Sequence, residues 1–247
     1  MTISSEADLA GLRRVGQLVA RTIAHMRSHL RPGVTTAQLD DAGARFARAA
    51  GARSAPQLTY DFPGFTCISV NDQIVHGVPG PRALRPGDVV KLDVTLELDG
   101  LMADSAVTVV VPPVSAEAQR VQRAARRAFD EGLAMARVGR RLRDVGAAVE
   151  AEARRAGTPV LRELGGHGIG RRLHEEPSVP NWADPSATLV LHEGLVLALE
   201  PMVAGAAARV VQEADGWTLR THNGALAAHH EHTIVVRREW AIVLTAA

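Results

Sequence analysis

Residues 91–108 read KLDVTLELDGLMADSAVT. The stretch is rich in the apolar and β-branched residues of a strand, and Asp99-Gly100 lies at its centre. Asp-Gly between alternating apolar residues predicts a β-hairpin, because the tight primed turns need positive φ. With a two-residue loop, Asp93 and Asp104 project from the same face of the hairpin. They are then diagonal neighbours, about 7–8 Å apart at the backbone.

The opposite face of the hairpin is apolar and predicts a core face. It carries Leu92, Val94, Leu96, Leu98, Leu101, Ala103 and Val107. The two like charges on the first face repel each other, so they need a cation or a shared proton between them. A solvated face that happens to hold two acids is the alternative, and the hairpin alone leaves it open.

Composition places the chain among ordinary globular proteins. The 247 residues are 46% apolar and 22% charged, which is enough to bury a substantial core. The net charge is +1 and the arginines are spread along the predicted helices, so no nucleic-acid footprint is indicated. The single cysteine, Cys67, excludes an intrachain disulfide and a zinc site of several thiolates. Without a signal-peptide pattern or a membrane-length apolar run, a cytoplasmic protein with no membrane partner is expected.

The pattern of elements repeats along the chain. Apolar residues at helical spacing, between capping and breaking residues, predict helices over about 6–30, 36–50, 116–137 and 142–156. Each helix pair precedes segments of loop and strand character, the first of which is SAPQLTYDFPGFTCISVN. This order predicts an α+β fold with a pseudo-two-fold antiparallel sheet and helices on its outer face. We expect a single domain over 1–247, with related halves at about 6–112 and 113–247.

Three further polar residues occupy positions where burial is expected. Glu200 ends an apolar run, LVLALE, and Glu231 begins another, EHTIVV. An ionised carboxylate is costly to bury unless it is paired or bound to a metal. His167 lies among four glycines in GGHGIG, where the backbone can approach a neighbour closely. For each residue alone, a strand-end glutamate that reaches water or a histidine with ordinary hydrogen bonds is the alternative.

Taken together, these groups favour a metal centre. A phosphate-binding glycine loop does not fit, because no G-x-G-x-x-G opens a helix and no G-K-[ST] follows. Four carboxylates and at least one imidazole make a ligand set dominated by oxygen. Such a set suits two divalent ions of the Mn, Fe, Co or Zn kind, whereas a structural zinc prefers thiolates. Two such ions bridged by carboxylates are a hydrolase arrangement.

Five segments in order resemble the type I methionine aminopeptidases, which are metallopeptidases of the pita-bread (creatinase/aminopeptidase-like) fold. The segments are CISVNDQIVHGVP, Asp93 and Asp104 with ten residues between them, GHGIGRRLHEEP, LEPMV and EHTIVV. The resemblance covers essentially the whole chain. It implies two divalent ions, Mn, Fe(II), Co or Zn, and five metal ligands: Asp93, Asp104, His167, Glu200 and Glu231.

The resemblance also implies how these residues act. Asp104 and Glu231 would bridge the metals, Asp93 would complete one site, and His167 with Glu200 the other. The reaction would remove the N-terminal methionine from nascent polypeptides, preferentially before a small second residue. A metal-bound hydroxide would attack the first peptide carbonyl, with Glu200 as the proton shuttle.

Two further histidines match residues that contact substrate in this family. His174, in RRLHEEP, would donate to the developing oxyanion, and His76, in IVHGVP, to the leaving amide nitrogen. The single domain would then be catalytic. A compact monomer is expected, like the bacterial form, and the sequence leaves docking on the ribosome open.

The pocket for the first side chain departs from the family pattern. Family members carry a cysteine and aromatics before CIS and an aromatic before the second histidine, whereas this chain has APQLTYDFPGFTC and Leu173. The residues expected to line the pocket are Phe62, Cys67, Leu173, Trp217, His76 and His174. A looser pocket would shift the preference among methionine, norleucine-like and leucine substrates.

Two other functions compete with this one. An Xaa-Pro aminopeptidase or prolidase shares the fold and the ligand types, but usually carries a large additional amino-terminal domain. A pita-bread module that binds protein or RNA without metal predicts broken ligands, yet all five positions are occupied. Peptide preference separates the first alternative, and a metal titration separates the second.

Overall fold

The computed structural model of the chain describes residues 1–246. Four long helices agree with the predicted ones to within two residues; they are α1 (Glu6–His29), α2 (Thr36–Ala49), α4 (Ala116–Met135) and α5 (Leu142–Arg155). Ser5, Thr35 and Ser115 begin α1, α2 and α4, because their side-chain oxygens accept backbone N–H groups of the first turn.

A fifth, shorter helix corrects the sequence prediction. The segment that begins at Ser54 was expected to be loop and strand, but α3 occupies Ala55–Tyr60. The Ser54 hydroxyl accepts the backbone N–H of Gln57, and Pro56 lies in the first turn, where its missing N–H costs nothing. This helix matters for function, because its last residue reaches the candidate site.

The strands form antiparallel sheets around the predicted hairpin. In chain order they are β1 (Arg53–Ser54), β2 (Cys67–Val70), β3 (Gln73–Val75), β4 (Val89–Leu98), β5 (Leu101–Val110), β6 (Gly165–Gly168), β7 (Glu175–Pro180), β8 (Val196–Leu199), β9 (Met202–Ala204), β10 (Val210–Gln212), β11 (Leu219–Thr221), β12 (Ala227–His229), β13 (His232–Val235) and β14 (Ile242–Val243). The hairpin β4–β5 is flanked by β1 and β2, which both pair with β4. The larger sheet of the second half has the order β14-β13-β8-β6-β7. Two small sheets, β10-β11-β3 and β12-β9, complete the set.

The register of the hairpin is the predicted one. Asp93 pairs with Ala106 and Asp104 pairs with Thr95 across β4 and β5. The two large sheets meet at this hairpin, where Ala106 and Glu231 exchange backbone hydrogen bonds of 3.4 and 2.9 Å. The carboxylates of both halves of the chain are thereby brought to one place.

Helices cover the apolar face of the hairpin. Leu92, Val94, Leu96 and Ala103 are fully buried in one cluster with the inward residues of α1, including Leu12 and Val15. Leu98 and Val107 are only half-buried at its edge. The antiparallel α+β architecture is thus as predicted, and within residues 1–246 no helix has the length and apolar character of a membrane span.

Candidate metal centre and active site

Asp93 and Asp104 lie side by side on the inner face of the hairpin. Asp104 is buried and Asp93 half-buried. Thr233 of β13 holds Asp104 at the backbone, since its hydroxyl accepts from the Asp104 N–H and donates to the Asp104 carbonyl, both at 2.8 Å. The pair therefore projects toward the second large sheet and away from the helices.

His167 reaches the same place from β6. A Cβ on Gly166 would lie 2.2 Å from the Ala198 carbonyl oxygen, and one on Gly168 would lie 2.2 Å from the Glu176 carbonyl oxygen. The glycines on either side are thus required by the close packing of β6 between its neighbours. Nδ1 of His167 contacts the Gly168 carbonyl at 2.8 Å. That bond makes Nδ1 the donor and leaves the lone pair on Nε2, as metal-binding histidines require.

Glu200 and Glu231 face each other at the ends of neighbouring strands. Leu199 of β8 pairs with His232 of β13, and the two glutamates are the next residues beyond that pair. Nε2 of His167 is 3.5 Å from Oε1 of Glu200. Both glutamates are buried, as expected from the apolar runs beside them.

The structure groups these side chains into two clusters that share Glu231. One holds Asp104, His167 and Glu231, and the other holds Glu200, Glu231 and a residue that the sequence analysis missed, His229; within each, ligand atoms lie within 4.8 Å of one another. Asp93 is in neither cluster but adjoins Asp104. The sequence held one indication of the role of His229. It precedes Glu231 by two residues, and in an extended chain such residues point to the same side.

The buried polar atoms at these clusters fit a divalent cation. Oδ1 of Asp104, Oε1 of Glu231 and both ring nitrogens of His229 are buried without a hydrogen-bond partner. Unpaired buried groups of this kind are rare in proteins and carry a free-energy cost, which a bound ion removes. Hard carboxylate oxygens with imidazole nitrogens are the donors that Mn, Fe, Co and Zn accept.

The electrostatics of the site lead to the same conclusion. Burial, and then the charges of neighbouring carboxylates, raise the pKa values of Asp93, Glu200 and Glu231 well above their ordinary range. Burial also raises the pKa of Asp104 and lowers that of His167 to about 4. Several buried carboxyls ionise together only when positive charge is supplied, and a neutral His167 can give its lone pair to a metal.

A cavity of about 270 Å³ opens beside Asp93 and Asp104. All six residues expected at the substrate pocket line it, namely Phe62, Cys67, His76, Leu173, His174 and Trp217, together with Pro56, Tyr60 and Thr95. The rings of Phe62 and Trp217 meet edge to face at 5.2 Å. Burial raises the pKa of the Cys67 thiol, which therefore stays protonated and serves as a small apolar wall.

His76 and His174 stand at the polar end of this cavity. His76 has a φ of 57°, an unusual conformation for a residue other than glycine, which is common at functional positions. Desolvation by the surrounding protein, and then the charges of the imidazoles of His174 and His229, lower the pKa of His76 to about 4, so its ring is neutral at pH 7. The rings of His167 and His174 are 4.2 Å apart, edge to face, so His174 joins the cavity to the metal cluster.

Tyr60 is a second residue that the sequence analysis missed. It is the last residue of α3, and its hydroxyl lies 2.5 Å from Nδ1 of His174. Either group can donate in this bond, and the ring proton of His174 lies on Nε2 when the phenol is the donor. The signal for this contact was weak, because α3 itself was not predicted.

Comparison with known proteins agrees with this geometry. The model of metallopeptidase family M24 matches residues 10–238. The chain belongs to metallopeptidase family M24. Relatives within it include methionine aminopeptidase 2 of Bacillus subtilis, 38% identical over 99% of both chains, and the methionine aminopeptidase of Clostridium perfringens, 37% identical over 98% of both.

Solved structures of similar proteins show the same fold. Methionine aminopeptidase from Rickettsia prowazekii is 34% identical, covers 99% of this chain and all of its own, and superposes with a TM-score of 0.95. Prolidase from Pyrococcus furiosus shares the fold alone, at 16% identity and a TM-score of 0.81, and this chain covers 66% of it. The predicted resemblance to methionine aminopeptidases and the predicted pita-bread fold are confirmed.

Proposed function

We propose that this M24 metallopeptidase is a methionine aminopeptidase that removes the N-terminal methionine from nascent polypeptides, preferentially when the second residue is small. The observation that carries the proposal is the apolar cavity beside the buried carboxylate cluster. Its volume, about 270 Å³, lies just below the usual range of small-ligand pockets, about 300–1,000 Å³. A cavity of this size accepts one side chain, which favours an exopeptidase that releases a single residue.

The proposed metal centre uses five side chains. Asp93, Asp104, His167, Glu200 and Glu231 would hold two divalent ions, and Mn, Fe(II), Co and Zn all suit this donor set. When bound, such ions activate water and polarise the carbonyl that is attacked. The unpaired oxygens of Asp104 and Glu231 support their assignment as the shared ligands.

The remaining catalytic roles fall to groups that hold protons. We propose that Nε2–H of His174 donates to the substrate carbonyl oxygen as negative charge develops there. His76, neutral at pH 7, would contact the amide nitrogen that leaves as an amine. The carboxylate of Glu200 would take the proton that the attacking water releases and deliver it to the amide nitrogen that leaves as an amine.

The cavity wall sets the choice of first residue. Phe62, Cys67, Leu173 and Trp217 give a wall without polar side chains, which suits the thioether of methionine. Nothing in this wall would reject leucine strongly, because apolar pockets discriminate similar side chains by only ~1–3 kcal/mol. We propose a single catalytic domain acting as a monomer in the cytoplasm. The single domain is supported by methionine aminopeptidase 2 of Bacillus subtilis, which the chain matches over 99% of its length.

Initial rates on four peptides test the proposal. The purified protein is stripped with a chelator, reloaded with Mn, Co, Fe(II) or Zn, and given peptides that begin Met-Gly, Met-Leu, Leu-Gly or Ala-Pro. We expect cleavage of Met-Gly to exceed cleavage of Met-Leu, because the second residue must be small. Preference for Ala-Pro would assign a prolidase-like activity, and no cleavage with any metal would indicate a binding module.

A further inference from the structure

We propose that His229 is a sixth protein ligand of the metal centre, a nitrogen donor on the Glu200 side of the cluster. The proposal rests on the metal centre of the proposed function and adds a ligand outside the five that the family resemblance implies. It predicts that this centre binds Co(II) and Zn(II) more tightly, relative to Mn(II), than five ligands would allow.

The backbone holds His229 in place independently of any metal. The residue ends β12, where it pairs with Met202 of β9. The hydroxyl of Thr108, on β5, accepts the His229 N–H at 2.9 Å and donates to the His229 carbonyl at 2.7 Å. His229 is therefore tied to the strand that carries Asp104, and its ring is directed to the same side as Glu231.

The position of the ring fits a ligand better than a hydrogen-bond donor. Nε2 of His229 is 3.5 Å from Oε2 of Glu200 and 3.5 Å from Oε2 of Glu231. An N–H···O bond is shorter, about 2.7–3.2 Å. Two donor atoms that each lie about 2.1 Å from one ion are separated by about 3.0–3.4 Å at octahedral or tetrahedral angles.

Glu200 lies between two imidazoles in matching geometry. Its Oε1 is 3.5 Å from Nε2 of His167, and its Oε2 is 3.5 Å from Nε2 of His229. Since the resemblance already implies His167 and Glu200 as ligands of one ion, the equal separation on the other side of the carboxylate points to a second nitrogen donor.

An ordinary buried histidine has hydrogen-bond partners, and His232 shows the contrast. Its Nδ1 lies 2.9 Å from the Thr245 hydroxyl and 3.2 Å from the Ser105 hydroxyl. His229 is 1% exposed, and neither of its ring nitrogens has a partner. No hydrogen bond therefore fixes the ring proton on Nε2, and the Nε2 lone pair is available to a metal ion.

An added imidazole changes the metal preference in a known direction. Nitrogen donors favour Co, Zn and Fe over Mn, which prefers oxygen. Loss of His229 should therefore weaken Co(II) more than Mn(II). The selectivity between the two ions, and not turnover, is the property that identifies a ligand here.

The test compares His229→Gln, His229→Ala and the matched control His230→Gln, which removes a neighbouring half-buried imidazole whose ring packs on Phe129. Each chelated protein is titrated with Co(II) and with Mn(II) by calorimetry, and the visible d–d spectrum of the Co(II) form is recorded. We expect both His229 variants to bind Co(II) about tenfold more weakly or worse and to change the spectrum, with Mn(II) affinity altered less. The control should match the wild type.

Two results would overturn the assignment. In the first, His229→Gln keeps the Co(II) affinity and spectrum while His229→Ala loses them. In that case a hydrogen bond from an amide N–H to the carboxylates replaces the imidazole, and His229 is a hydrogen-bond donor and not a metal ligand. If neither variant changes either property, His229 has no part in the centre. A wild-type protein that binds and cleaves normally in those cases leaves the proposed function intact, whereas a wild-type protein that binds no metal overturns both.

Discussion

Replacing Tyr60 by phenylalanine removes one hydroxyl and leaves the ring in place. The hydroxyl lies 2.5 Å from Nδ1 of His174, and the two ring centroids are 5.5 Å apart. We expect the phenol to donate in this bond in the wild type, which holds the His174 proton on Nε2. Without it, neutral His174 divides between two tautomers, and only one of them donates from Nε2.

The expected loss follows from the value of one hydrogen bond. A net contribution of about 0.5–1.5 kcal/mol corresponds to a roughly 2- to 10-fold lower kcat/KM for Tyr60→Phe. Most of the loss should be in kcat, because the oxyanion forms only in the transition state. Tyr60 is 44% exposed, so the free energy of unfolding should change by less than about 0.5 kcal/mol.

A double-mutant cycle isolates this contribution. Tyr60→Phe, His174→Ala and the double variant are assayed on a Met-Gly peptide under saturating metal, with Leu58→Ala as a control for disturbance of α3 at another exposed position. We expect Tyr60→Phe to have no further effect once His174 is alanine. Equal losses in both backgrounds, or wild-type kinetics for Tyr60→Phe, would refute the tautomer argument.

Three further predictions concern catalysis, metal and stability. His76→Ala should lower kcat about 10²-fold or more without weakening Mn(II) binding, and near-normal turnover would contradict its role. Chelation should lower Tm, and Mn(II) at a hundredfold excess over Kd should restore about 2.7 kcal/mol, or roughly 5–10 °C; an unchanged Tm would exclude a metal centre in the folded protein. Burial lowers the pKa of Lys91, the single lysine, from 10.5 to about 7. Between those values the unfolded chain binds the extra proton, so stability rises with pH. Lys91→Met should lose this rise, so the gap in unfolding free energy between the variant and the wild type should fall by ~1.4 kcal/mol per pH unit from pH 7 to 10 in urea denaturation. The size of the gap at any one pH also includes the loss of the 2.7 Å hydrogen bond from Lys91 Nζ to the Asn71 carbonyl. A gap that does not change with pH would refute that reading.

Local features of the sequence were enough to predict the hairpin and the long helices. The Asp-Gly turn and the alternation of apolar residues determine the register that places Asp93 beside Asp104, because both act over a few residues. The capping residues Ser5, Thr35 and Ser115 act within one turn of helix, so the helix starts were predictable as well. The family motifs then pointed to the five candidate ligands.

Residues that meet only through tertiary contacts could not be predicted from the sequence. Tyr60 reaches His174 across 114 positions of the chain, from a helix whose hydrophobic pattern is too short to read. His229 lies two residues before Glu231, so both side chains point to the same side of the chain. That spacing is common in strands, and it does not tell whether a side chain is buried or which residues it contacts.

The sequence by itself determined which chemical groups this protein carries and which of them share a strand face. Tertiary structure alone decided that β5 and β13 lie together, so that Asp104 and Glu231 enclose one site with His167 and His229. The physical reason is that periodicity and capping are short-range effects, whereas strand pairing between residues more than 100 positions apart depends on the packing of the whole chain.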